Sequence, residues 1–187
     1  MSSTEDQDFE NWAFAMSLIA NGYCRRDDAI EALVSDCGEG ALDRSTAQQI
    51  VDEVWQERLA EEATWPERTD VDSLEEAFAA LEAQGIVTRA NFACCTSCGH
   101  RQIRDERAPD STGYVFFDAQ STDSAVESGA LWVHFGAYRP EQERATAAIG
   151  QKAVTALAAA GLPVTWNGSG DTTIKVAPIT WQKRVPR

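Results

Sequence analysis

Cations are scarce in this chain. Lys+Arg number 16 against 30 Asp+Glu, a formal net charge of −14 over 187 residues. A surface of that sign repels phosphate backbones, so nucleic acid is not an expected partner. Long apolar runs are also missing. None approaches the roughly 20 residues that span a bilayer. The start, Met1 to Asp8, is polar and acidic and lacks the basic n-region and apolar stretch of a secretory signal. Membrane association is therefore not expected, and the expected compartment is the cytoplasm, where thiols stay reduced. The five cysteines are an odd number, which argues against a disulfide framework. Histidine is limited to His100 and His134, so a catalytic triad is hard to assemble. Phosphate-loop and dinucleotide fingerprints, internal repeats and low-complexity segments are absent.

What is present is a real core and an uneven charge. Hydrophobic residues make up 43% of the chain, enough for a globular fold. Residues 1–82 hold 21 Asp+Glu and 5 Lys+Arg, a balance of −16, whereas residues 83–187 hold 9 and 11, a balance of +2. The acidity belongs to the first half. It reads either as a solvated surface or as a face that covers a basic protein partner, as an inhibitor or immunity-type module would.

Helical spacing dominates that half. Phe9, Trp12, Ala13, Met16 and Ile19 form one stripe that stops at Gly22. Asp27 or Asp28 can cap a short helix carrying Ile30, Leu33 and Val34, with Cys24 and Cys37 at its edges as small packing residues. Ser45 and Gln48 suit a capping box, followed by Ile50, Val51, Val54, Trp55 and Leu59, until Trp65-Pro66 ends the helix. Asp72 to Glu75 suits the next cap, with Leu74, Ala77, Phe78 and Leu81 inward and Gly85 closing.

From Ile86 the period changes. Strands are expected at 86–93, 114–117, 130–136, 162–166 and 172–176, with helices near 99–107 and 121–127 and from Pro140 to Gly161. The order β-α-β-α-β-α-β-β after a helical N-terminal part gives an α+β fold, a mixed β-sheet with helices packed on it. The long third helix suits a parallel crossover, and residues 167–171 suit a hairpin that makes the last pair antiparallel. The division is an acidic helical region, 1–85, and a sheet region, 86–187, forming one compact unit. The basic tail from Trp181 to Arg187 can dock on the acidic helices.

Chemistry concentrates in Ala90-Asn-Phe-Ala-Cys-Cys-Thr-Ser-Cys-Gly-His100. Cys95 and Cys98 have the spacing at which two thiolates hold one tetrahedral metal, zinc being the expected ion. Cys94 or His100 could be a third ligand, with His134 or Asp118 a fourth. A second Cys-x-x-Cys pair is missing. The same Cys95 and Cys98 also read as a redox pair between a strand and a helix, as in thioredoxin-like folds. Such folds set a cis proline before a terminal hairpin, and Pro163 stands in a comparable place. The plainer alternative is a tight turn whose thiols only pack. Asp118, Gln120 and Asp123 follow a buried strand at its C-terminal end, where open sheets bind ligands and where polar residues also cap helices.

The stretches Leu74 to Ile86, Asn91 to Gly99, Gly113 to Gln120 and Val164 to Gly168 resemble an uncharacterised bacterial family, a domain of unknown function with a Phe-Ala-Cys-Cys-x-x-Cys-Gly motif. The resemblance covers most of residues 15–183. It implies a single module and no particular activity. Within it, His more often stands at the position of Asp118 and Asp at that of Ser121, so a polar site shared with the cysteines would be altered here.

Overall fold

A computed structural model describes residues 3–36, 42–139 and 143–187. Among these residues the chain forms seven helices and a five-stranded sheet, divided into two compact units. One unit is Met1–Glu67 together with Gln182–Arg187; the other is Arg68–Trp181.

The first unit holds helices α1 (Ser3–Ala20), α2 (Arg26–Asp36) and α3 (Arg44–Glu62). Its core is Ala15, Ile19, Ala29, Ile30, Leu33, Ala47, Val51, Val54 and Trp55. The stripe expected on α1 is rotated. Asn11, Ala15 and Ile19 are buried, while Phe9 is 69% and Met16 38% exposed. Residues four apart share a helix face, and the small Ala15 on that line lets α1 approach its neighbours. Asp27 and Asp28 lie inside the first turn of α2 rather than at its cap. Cys37 lies outside the described residues. The cap of α3 is Asp43, whose carboxylate accepts from the backbone N–H groups of Ser45 and Thr46, so the expected box at Ser45 starts too late.

The basic tail from Gln182 to Arg187 belongs to this helical unit, while Trp181 belongs to the other. Val185 is buried in its core, and its backbone N–H donates to Glu62 Oε1 at 2.7 Å. Arg58 donates to the carbonyls of Ala20 (3.1 Å) and Lys183 (3.0 Å) and lies 4.5 Å from the ring centre of Trp65.

The second unit starts with α4 (Asp70–Glu82), capped by Thr69 in a reciprocal pair with Asp72, one turn before the expected cap. Strands β1 (Ile86–Arg89), β2 (Gly113–Phe116), β3 (Leu131–Ala137), β4 (Val164–Thr165) and β5 (Ile174–Val176) form a sheet in the order β1-β2-β3-β5-β4. Between them run α5 (Thr96–Gln102), α6 (Ala119–Ser128) and α7 (Glu143–Ala159). The first pair is parallel and the others antiparallel, so the sheet is mixed as the pattern implies. It follows that β3 and β4, joined by α7, run parallel with β5 inserted between them. The proposed start of α7 at Pro140 lies outside the described residues.

Strand β2 is buried along its whole length. One face carries Val115 and the next residue of that parity, Phe117, which meets Phe78 of α4. The other carries Tyr114 and Phe116, which meet His100 of α5. Burial on both sides explains why Tyr114-Val-Phe-Phe117 is apolar without alternation. Register then fixes the neighbour: Phe116 is paired with His134 of β3, which places the imidazole on the α5 side.

Candidate functional site: a sulfur triplet beside a buried acid–imidazole pair

The chain leaves β1 through two residues in the left-handed region, Asn91 (φ 49°) and Ala93 (φ 62°). Non-glycine residues adopt this conformation rarely and at a cost, and the surrounding structure must hold them there. Here Phe92 N–H donates to Phe117 O at 2.8 Å, Thr122 Oγ1 to Asn91 Oδ1 at 2.8 Å, and Ala119 N–H to Ala93 O at 3.1 Å. The loop is thereby tied to the end of β2 and the start of α6. It delivers Cys94 and Cys95 to the first turn of α5, where Cys95 is the capping residue.

Cys94, Cys95 and Cys98 are brought together: their three Sγ atoms all lie within 4.8 Å of one another. The Cys94–Cys95 separation is 3.8 Å, and Arg101 Nη2 lies 3.8 Å from Cys98 Sγ. Cys94 is exposed and the other two half-buried. The thiols are not equivalent. The backbone N–H of Cys98, then the Cys98 and Cys94 thiols, hold Cys95 below the ordinary thiol range. Hydrogen bonds to Cys94 and Cys95 push Cys98 above it. Cys24, in the helical unit, is raised by burial and then by Asp28.

The other expected ligands do not join the sulfur group. His100 Nδ1 is 3.0 Å from Tyr114 Oη, and its ring packs edge-on to Phe116 at 5.1 Å between centres. Burial, followed by Arg104, lowers its pKa against the pull of Asp118. His134 and Asp118 meet each other instead, with His134 Nε2 3.4 Å from Asp118 Oδ2. Thr96 Oγ1 lies between them, donating to Asp118 Oδ2 at 2.8 Å and 3.3 Å from His134 Nε2. Asp118 also caps α6, its Oδ1 accepting from Ser121 N–H at 2.8 Å. Burial lowers the His134 pKa more than Asp118 raises it, with His100 adding to the lowering, so the imidazole is kept neutral at pH 7.

Thr96 is the residue that spacing did not single out. It sits within the Cys-x-x-Cys turn, and its partners are 22 and 38 positions away. Only the pairing of Phe116 with His134 reveals the contact. Asp123 lies on α6 beyond the cap; burial, then Glu127 and Asp118, raise its pKa. Pro163 precedes β4, but the cis bond in the described residues is Ala177–Pro178, after β5, so the thioredoxin-like placement is not reproduced.

Residues 4–185 match the model of a family described as a domain of unknown function, DUF6891, and the chain belongs to that family. No curated protein and no solved structure matches it. No helix among the described residues is long and apolar enough to cross a membrane.

Proposed function

We propose that this protein binds a thiophilic metal ion, zinc, through Cys94, Cys95 and Cys98. The supporting observation is the clustering of three sulfurs within 4.8 Å on one turn. Thiolates are the ligands that zinc and other soft ions select, and three protein ligands leave one tetrahedral position for solvent or substrate. A lowered pKa at Cys95 favours the deprotonated form that a metal needs. The remaining candidate, His100, would have to leave Tyr114 to contribute Nδ1.

Elemental analysis of protein purified under reductant without added metal tests this reading. Roughly one zinc per chain is expected, falling at least tenfold in the Cys95→Ser, Cys98→Ser double variant. Metal-free protein that also fails to take up zinc on reconstitution would overturn it.

A second reading, thiol–disulfide exchange by Cys95 and Cys98, draws on the opposite displacement of their two pKa values. A thiolate at Cys95 would attack a partner's disulfide, forming a mixed disulfide and releasing one partner thiolate. Cys98, once deprotonated, would then attack Cys95 Sγ, closing the Cys95–Cys98 disulfide and releasing the second partner thiol. Metal-free protein in which Cys95 alkylates well below pH 8.5 would favour this reading over the first.

A further inference from the structure

We propose a second, separate metal site, for a divalent ion of the Mn2+ class, formed by Thr96 Oγ1, Asp118 Oδ2 and His134 Nε2. This site is independent of the sulfur reading. The three atoms are mutually close, at 2.8, 3.3 and 3.4 Å. Adjacent ligands of an octahedral ion with bonds of about 2.1 Å are separated by roughly 3 Å, so the triangle is near the size of one coordination face. Carboxylate, hydroxyl and imidazole are hard or borderline donors and suit Mn2+ better than thiolate does.

Two further observations distinguish the triangle from an ordinary helix cap. Capping uses only Asp118 Oδ1, which leaves Oδ2 turned toward Thr96 and His134. The His134 side chain is 6% exposed, and its Nδ1 is buried without a hydrogen-bond partner among the described residues. Nε2 ligates in the tautomer that carries the proton on Nδ1, so ion binding must also offset that unpaired buried N–H. The orientation of the imidazole is set from the Nε2 side, where the triangle lies.

The three residues also line one polar cavity of about 270 Å3, whose wall continues through Gln120, Ser121, Trp132 and Thr173. A water takes about 30 Å3 of liquid volume, so the space holds the several waters that such an ion keeps, or a small polar substrate replacing them. An ion with exchangeable waters beside a cavity is the arrangement of catalytic rather than structural metal sites.

Mn2+ binding followed by electron paramagnetic resonance tests the site, using full-length protein stripped with chelator and kept reduced. One saturable Mn2+ per chain is expected, and it should persist when Cys94, Cys95 and Cys98 are all replaced by serine. Asp118→Asn, which keeps a capping oxygen, and His134→Ala should each weaken it at least tenfold, with folding checked by circular dichroism. Electron spin-echo modulation of the wild-type complex should show one coupled imidazole nitrogen, a readout that stands even where a variant does not fold. The proposal is overturned by absence of saturable binding, by a spectrum without nitrogen coupling, by affinity unchanged in folded variants, or by binding that disappears with the cysteines.

Discussion

Gly99 lies against the ring of Phe116 so closely that a Cβ on it would overlap the ring carbons. The glycine is buried in α5, and Phe116 is fully buried in β2. This contact sets how near the cysteine turn approaches the sheet. It also gives the glycine after Cys98 a packing reason beyond closing a turn. Neither a ring in a packed core nor strand backbone gives way cheaply, and overpacking typically costs about 1–3 kcal/mol. Gly99→Ala is expected to lower unfolding free energy by about that amount in urea titrations. On the proposed zinc reading it should also weaken retention of the ion, because α5 must move away from Phe116. Unchanged stability would mean that the contact relaxes freely and does not fix the turn.

The tail makes a comparable contact in the helical unit. Glu62 is almost fully buried, and one of its oxygens accepts from the buried backbone N–H of Val185. Glu62→Ala would strand that donor and remove the buried carboxylate 3.7 Å from Arg58 Nε, leaving Arg58 its contact with Glu61 at 3.0 Å. An unsatisfied buried donor costs about 1–3 kcal/mol. Loss of that order is expected in denaturant melts, together with faster amide exchange at Val185. Slow exchange at Val185 in the variant would show that other contacts hold the tail.

Stability should depend on pH through the two histidines. Burial is the leading cause that lowers both, with Arg104 adding to His100 and His100 adding to His134, while Asp118 opposes in each case. The unfolded chain protonates them near the ordinary 6.5, whereas the folded chain keeps them neutral to lower pH. Below 6.5 the unfolded state therefore binds more protons, and stability present above that pH is lost as the pH falls through the folded values. The groups facing the pair are Asp118, Arg104 and the Tyr114 hydroxyl. Urea midpoints measured in chelator and reductant should fall between pH 7.5 and 5.5. The fall should be smaller in a His100→Gln, His134→Gln double variant. An equal slope in the two proteins would assign the acid sensitivity to carboxylates elsewhere.

Local pattern made much of the fold legible. The change of period at Ile86 marks β1, and the apolar runs at Tyr114 and Leu131 mark β2 and β3. The turn-rich segment 167–171 lies between the antiparallel pair β4 and β5. The clustering of Cys94, Cys95 and Cys98 was legible because five consecutive positions cannot separate far on one turn. What was not legible depends on distant partners. The Thr96–Asp118–His134 contact joins a turn, a cap and a strand, and it needs the register of β2 against β3. The buried face of α1 does not follow side-chain bulk: Phe9 and Met16 are exposed, while Ala15, whose small size permits close packing, lies inward. Caps were displaced because Asp43, Ser45 and Thr69, Asp72 offer competing acceptors a few residues apart, and only the backbone path selects between them.

The cap that displaced Ser45 supplies a last test. Asp43 Oδ1 is 3.0 Å from Ser45 N and 3.1 Å from Thr46 N, and Thr46 Oγ1 donates to Oδ2 at 2.6 Å. The Ser45 hydroxyl leads the causes, followed by the Thr46 hydroxyl and backbone N–H, that lower the Asp43 pKa from 3.8 to about 2. The carboxylate contributes to α3 above the unfolded value of 3.8, and that contribution is lost as the pH falls through about 2. Carbon-detected NMR of the Asp43 carboxyl should show a midpoint well below the unfolded value of 3.8. Asp43→Asn should keep the first turn of α3, because its amide oxygen still accepts, whereas Asp43→Ala should fray it, with faster amide exchange at Ser45 and Thr46. An ordinary midpoint for Asp43, or identical exchange in the two variants, would mean that the helix start is held by packing of Ala47 and Val51 alone.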